Sequence, residues 1–596
     1  MTQGRRLLAL GVAASLALVG CGSSSSTASP AATSGASAAA STAASAPASA
    51  PASAATSVAP AVTKNMIPKL SIDNESGSAW NCQFNPFNTS DTWYTLGYLY
   101  EPLFYVNSLQ SNPDGSPKTT PWLATDYSWN TDQTQVTFTM RPGVKWSDGQ
   151  ALTADDVVYT FNALKNDAGA DVQGLWTSGS AKLTTVAKDS SDPTKVVFTF
   201  DKPAGTMFYY LADQQPIVPQ HIFGAAGVDQ TKLETLPNAK PVGTGAFTLG
   251  QCEGTNMQFL RNKTYWQSTP DNIVPKIEEV DYPAYLSNDS ANQVLHDGGA
   301  QWGGQFIPNI QAYYLDVSPE HHIWQPATGN VMMYLNIAKD PLLAQVAVRQ
   351  ALSFAINRND ASTLGEGGQE LPSNQTGIVL PTFKGWYDKS IDTTVPGGDP
   401  AKAASVLEAA GFTKGSDGIY ADAKGTKLSF TIKSVQGYSD WDASIQTIIA
   451  SLKKAGIELK QQDEDAGTLS ADLASGSFQI AYNSASGGPT PFYELRNDMD
   501  SGSFSNYGKY KNATADSLIS QYLKSTSIDE QKQIVLKLGK IMNDDVPVIP
   551  VTESADWFQY DTTAIDGWPT ADNPYCQPAP WNVPDNMVLL TTIWGK

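Results

Sequence analysis

Reactive side chains are few in this chain and lie far apart. Its four histidines are His221, His296, His321 and His322, and its four cysteines are Cys21, Cys82, Cys252 and Cys576. No GxSxG nucleophile elbow, HExxH zinc helix or GxxxxGK(S/T) phosphate loop occurs, so acyl transfer, metal-assisted hydrolysis and nucleotide hydrolysis all lack the residues they need. His321-His322 reads as a solvated loop. Asp463-Glu464-Asp465 opens like a calcium loop but places Gly467 where an oxygen ligand is required, so it reads as a solvated acidic turn. Widely spaced cysteines without a CxxC argue against zinc or iron–sulfur. The expectation is no catalytic residue, no metal and no other cofactor.

Recognition chemistry is better represented, with 15 Trp and 24 Tyr. Most such rings pack cores. A few stand in polar, glycine-rich stretches without helical or strand periodicity: Phe84 beside Asn85 in SAWNCQFNPFN, Trp302 near Gln305 in GGAQWGGQF, and Tyr438 and Trp441 in QGYSDWDAS. Phe492 and Tyr493 follow Ser486 in SGGPTPFYEL, and Trp568 lies in DGWPTADNPY. Rings in loops offer flat faces for stacking, while amides and hydroxyls orient what is stacked. Phe84, Asn85, Trp302, Gln305, Tyr438, Trp441, Ser486, Phe492, Tyr493 and Trp568 are therefore the candidate ligand contacts, with core or rim packing as the default for each ring.

The elements that must position them alternate between strands and helices, as in an α/β or α+β body. Val136, Phe138 and Met140 alternate with polar residues before the Pro142-Gly143 turn. Thr153 and Asp156 have the spacing of a capping box, after which Val157, Phe161 and Leu164 share one helical face. Asp340-Pro341 and Asp399-Pro400 each put a capping acid before a proline suited to the first helical position, and Gly411 closes the second of these helices. Leu342, Val346, Leu352, Phe354 and Ile356 supply the apolar residues of the stretch ending at Arg358.

The first residues carry an address. Arg5-Arg6 precede an apolar run of about 13 residues, short of the roughly 20 that span a bilayer, so residues 1–20 read as a signal peptide. Leu18-Val19-Gly20-Cys21 resembles a bacterial lipoprotein cleavage box, in which Cys21 is lipidated. Residues 21–63 then form a tether of Ala, Ser, Thr and Pro, with a reach of roughly 35 Å over about 40 residues. A net charge of −20 excludes nucleic acid and anionic headgroups as ligands. In an oxidising compartment one disulfide among Cys82, Cys252 and Cys576 is expected, with all three pairings open.

From about Trp122 onward, five ordered blocks resemble the family-5 extracellular solute-binding proteins, whose members bind dipeptides, oligopeptides or nickel. They are VTFTMRPGVKWSDGQALTADDVVYTFNAL from Val136, PVGTGAFTL from Pro241, RNKTYW from Arg261, VRQALSFAINR from Val348 and AGFTKGSDGIYADAKGTKLSFTI from Ala410. DDVPVIPV from Asp544 resembles the segment returning to the first lobe. The resemblance implies an α/β, two-lobed periplasmic-binding-protein-like fold with two hinge crossings, near 325–331 and 544–548, and mixed sheets flanked by helices. Lobe I would be 64–325 with 546–596, and lobe II 326–545. It also implies a lipid-anchored monomer at the cell membrane that is not an enzyme and that hands a peptide to ABC permease and ATPase subunits. Peptide-binding relatives hold the ligand's ammonium with an Asp in the second lobe, but the comparable stretch here, YNSASGGPTPF from Tyr482, has no acid. A β-linked oligosaccharide stacked on tryptophans is the alternative ligand, with nickel chelates and opines behind it. A surface hydrolase or adhesin is the competing class.

Overall fold

The computed structural model describes residues 64–596 apart from 75–78, 89–90, 92–94, 178–180, 270–272, 286 and 486. Cys21, the signal segment, the tether and Ser486 lie outside the described residues.

Two sheets organise the chain. The first has seven strands, in the order His321–Ile323, Gln559–Asp561, Trp302–Gly303, Leu70–Asp73, Glu279–Pro283, Asn256–Arg261 and Phe247–Cys252. Leu70–Asp73 runs parallel to both its neighbours, and its leucine and isoleucine are fully buried. Buried on both faces, such a strand needs the apolar content that LSID supplies. The second sheet has five strands, ordered Glu458–Glu464, Ser429–Val435, Ile480–Ser484, Ala327–Leu335 and Val548–Ala555. Each sheet thus mixes parallel and antiparallel pairs.

The chain passes between the sheets twice, between Ile323 and Ala327 and between Ala555 and Gln559. The two passages form a ribbon, Trp324 N–H donating to the Phe558 carbonyl at 3.1 Å and Asp556 N–H to the Pro326 carbonyl at 2.9 Å. The second passage therefore lies beyond the 544–548 read from sequence. Val548–Ala555, placed in lobe I by that reading, pairs with Ala327–Leu335 in the five-stranded sheet.

Local sequence accounts for much of this. Gln135–Met140 alternates half-buried and buried residues, and sits in a four-stranded antiparallel sheet with Ala124–Trp129, Lys195–Phe200 and Leu183–Lys188. Thr153 and Asp156 form the expected capping box of helix Ala154–Asn166, which lays Phe161 edge-on against Phe198 at 4.8 Å. Asp399 caps helix Pro400–Ala409 through the Lys402 N–H. Asp340 behaves differently. It accepts from Leu342 and Leu343 N–H in a turn, the chain straightens at Gln345 (ψ 121°), and the helix is Val346–Ala355.

Three of the five sequence blocks meet around one buried carboxyl, Glu101. It accepts from Trp122 Nε1 at 2.8 Å, the Tyr265 hydroxyl at 2.7 Å and Trp266 Nε1 at 2.7 Å. Arg141 donates to the Trp122 carbonyl and lies 4.9 Å from the Trp266 ring centre. In the GTG block a Cβ on Gly243 would sit 1.8 Å from the Leu99 carbonyl oxygen, so only glycine fits. These residues frame the first sheet. Cys82 pairs with Cys252, and Cys576 is a buried thiol.

Burial raises the Glu101 carboxyl and its hydrogen bonds, that from Trp266 first, oppose that shift. Glu101→Ala would strand the indole N–H groups of Trp122 and Trp266, while the Tyr265 hydroxyl keeps Gln267 Oε1 at 3.0 Å, so urea unfolding should show a loss of at least about 2 kcal/mol with an unchanged m-value. A loss near zero would contradict this keystone role.

Candidate functional site

A cavity of about 360 Å³ lies where the carboxyl ends of strands from both sheets meet. Ligand crevices form there in open α/β sheets, because loops leave the strands at that edge. The seven-stranded side contributes Asn74, immediately after Leu70–Asp73, and Gly304, Gln305 and Phe306, immediately after Trp302–Gly303. Val435, Asn483, Ser484 and Ser554, each at or near the end of its strand, come from the five-stranded side. Tyr438, Asp440 and Trp441 enter from the start of helix Ser439–Lys454, and Trp557 and Trp581 complete the ring set. Tyr438 meets Trp441 edge-on at 5.1 Å, Trp441 meets Tyr482 at 5.5 Å, and Phe306 meets Trp557 at 5.8 Å.

Contacts also join the two halves of the chain. At the cavity wall Asn288, on the first sheet's helix Asn288–His296, donates to Asp440 Oδ1 at 3.3 Å. Outside the wall the Tyr493 hydroxyl donates to the Thr206 carbonyl at 3.0 Å, its ring packs on Tyr209 and Tyr210, and Arg496 lies 4.9 Å from the Tyr210 ring centre. Few hydrogen bonds bridge the edges, which suits a cleft that opens.

The electrostatics are one-sided. Glu370, Asp440 and Asp556 line the cavity, and its wall holds no lysine, arginine or histidine. Burial pushes Asp440 up to about 6, opposed by the Asn288 bond. Burial pushes Glu370 up to about 8 against bonds from the Thr552 hydroxyl at 2.6 Å and Ala555 N–H at 3.0 Å. Asp556 is held at about 8, again chiefly by burial. Glu366, just behind, is raised by burial and by repulsion from Glu370 and Asp440. Glu370 and Asp556 therefore stay largely protonated near neutrality, whereas Asp440 is mostly ionised there and takes up its proton only below about pH 6.

The structure sorts the sequence candidates. Gln305, Tyr438 and Trp441 are in the cavity wall, and Tyr493 lies outside it, packed on Tyr209 and Tyr210. Phe84, Asn85, Trp302, Phe492 and Trp568 are not in the wall, because the protein itself satisfies them. Phe84 packs edge-on against Phe259, and Asn85 donates to the Leu233 and Leu236 carbonyls. Trp302 donates to the Pro578 carbonyl and packs near Trp568, whose indole N–H is bound to the Asp561 carbonyl. Phe492 stacks on Tyr522 at 3.6 Å. Phe306, Trp557 and Trp581 were missed. Trp581, in APWNVP, is fixed by flanking prolines rather than glycines, and that signal was there to read.

Metal-ligand geometry is missing: among the described residues no group of three or more His, Cys, Asp or Glu could hold an ion. His321 stacks on Tyr314, His322 bonds Thr562, and Asp465 caps helix Ala466–Ser475.

Residues 118–506 match the family described as bacterial extracellular solute-binding proteins, family 5 Middle. The chain belongs to the family-5 extracellular solute-binding proteins. It is 28% identical over 375 residues to a probable ABC transporter-binding protein of Deinococcus radiodurans, the match covering 57% of this chain and 60% of that one. It is 26% identical over 405 residues to the oligopeptide-binding protein AppA of Bacillus subtilis, covering 66% and 70% respectively. Among solved structures it is similar to a mannohexaose-bound periplasmic oligopeptide-binding protein of an ABC transporter from Thermotoga maritima. The TM-score is 0.79 at 28% identity, over 89% of this chain and 98% of that one. A family-5 protein is a two-lobed binding protein and not an enzyme, consistent with a cavity of recognition groups rather than nucleophiles.

The buried carboxyls of this family-5 cavity set a pH dependence. With Glu370, Asp440 and Asp556 raised above ordinary values, the folded chain holds protons that the unfolded chain releases above about pH 4. Their contribution to stability is complete below that pH and is lost as pH rises to about 8. Urea midpoints should fall from about pH 5 to about pH 8, and Glu370→Gln should flatten the slope. An unchanged slope in Glu370→Gln would contradict the assignment.

Proposed function

We propose that this chain is an extracytoplasmic, lipid-anchored capture protein of an ABC importer, which encloses a peptide by hinge closure and delivers it to a membrane permease. The observation that carries the ligand class is the cavity wall, with three carboxyls and no cationic side chain. A peptide's terminal ammonium would enter beside Asp440, mostly ionised at neutral pH, and form charge-assisted hydrogen bonds with it. The faces of Trp441, Trp557 and Trp581 would take side chains, and Asn74, Gln305 and Asn483 would bond the peptide backbone. The oligopeptide-binding name of the Bacillus relative supports this reading.

Cys21 would carry the acyl anchor, and no helix among the described residues is long and apolar enough to cross a membrane. Separate permease and ATPase subunits would move the ligand, and the capture protein would act as a monomer. The lobes that close would be the two sheets with their helices, turning on the paired passages near 324–326 and 556–558.

A β-linked oligosaccharide is the second reading. Three indoles with neutral amides and hydroxyls in one wall favour it, as does the mannohexaose in the Thermotoga relative. Protonated carboxyls serve sugar hydroxyls equally well.

Calorimetry with a free peptide, its N-acetylated form and β-linked oligosaccharides separates the two. Under the peptide reading, acetylation and Asp440→Asn each weaken binding by about tenfold to a hundredfold. Oligosaccharide binding alone, or no effect of acetylation, would overturn it.

A further inference from the structure

The hinge ribbon has a second cavity on its other edge. About 330 Å³ in volume, it is lined by the first passage, Trp324 to Ala327, and by Leu371, Leu380 and Pro381. The second passage, Asp556 and Trp557, lines the main cavity instead, and Ala555 touches both. Glu553 is the one ionisable side chain in this second wall. It is 2% exposed; Oε1 accepts from the Leu380 N–H at 2.7 Å, and Oε2 has no hydrogen-bond partner among the described residues. Burial first, then repulsion from Glu494 and Glu370, pushes it up to about 8, the condition of a carboxyl that lacks a cation. At the mouth Leu371 is 52% exposed, an apolar side chain left without a cover.

We propose that this hinge-edge cavity is a second binding site, for a small alkylammonium ion whose charged head pairs with Glu553 and whose chain lies on Pro326, Leu371, Leu380 and Pro381. An apolar wall around one buried carboxyl selects that chemistry: an ammonium ion stabilises the ionised form of Glu553 and pairs with it, a carboxylate ligand opposes that ionisation, and a neutral alcohol offers only a neutral hydrogen bond. The site is coupled to the main cavity by construction. This coupling rests on the hinge closure proposed above: closure about the ribbon would move the first passage relative to Leu371 and Leu380, so occupancy here and occupancy of the main cavity would bias the same hinge reciprocally.

The test is calorimetry of the full chain with n-butylamine and with n-butanol, repeated on Glu553→Gln, Asp440→Asn and Leu371→Trp. The expected result is that wild type and Asp440→Asn bind the amine alike, that butanol is at least about tenfold weaker, and that Glu553→Gln loses at least about tenfold. Leu371→Trp, a change at an exposed position that fills the mouth, should also abolish binding, and it decides the matter if Glu553→Gln does not fold. No binding by wild type, equal binding of butanol, retention in Leu371→Trp, or loss in Asp440→Asn would each overturn the proposal.

Discussion

Two hydrogen bonds, from Trp324 N–H to the Phe558 carbonyl and from Asp556 N–H to the Pro326 carbonyl, join the two passages of chain between the sheets. Paired in this way, the passages would bend as one ribbon rather than as two independent loops, a geometry suited to motion of the sheets about a common line. The cavity lies beside that ribbon. Strand ends from both sheets face one another beside the ribbon, so groups far apart in sequence, such as Asn74, Gln305, Asp440 and Trp557, share one wall.

What the wall contains is unusual in one respect. Carboxyls buried without cationic partners carry a desolvation cost, which Glu370 and Asp556 meet near neutrality by holding protons and Asp440 only below about pH 6. A ligand that supplies positive charge or several donors relieves the cost, whereas a carboxylate would add to it. The same physics, repeated at Glu553 on the ribbon's other edge, underlies the second site.

Local sequence carried the elements well. The alternation of Val136, Phe138 and Met140, the Thr153/Asp156 box and the Asp399-Pro400 start all reflect backbone chemistry within a few residues. The ordered blocks gave the family, and the role of RNKTYW is structural, since its Tyr265 and Trp266 meet Trp122 at Glu101. The site was less legible. A glycine-rich loop around an aromatic looks the same whether it ends at the cleft, as near Tyr438, or folds into the core, as at Trp302, because the difference lies in which strand end the loop leaves. The second passage was displaced for a related reason. Val548–Ala555 is apolar enough for either sheet, and only its pairing with Ala327–Leu335 assigns it.

The central claim is that ligand is enclosed by rotation about the paired passages. It is tested most directly by small-angle scattering of the chain stripped by mild denaturation and refolded, before and after return of the small molecule recovered from it, with binding confirmed by calorimetry. The account predicts a smaller radius of gyration in the bound state, with the decrease reduced in Asn288→Ala, which lacks the bond to Asp440. An identical radius with ligand demonstrably bound would contradict it.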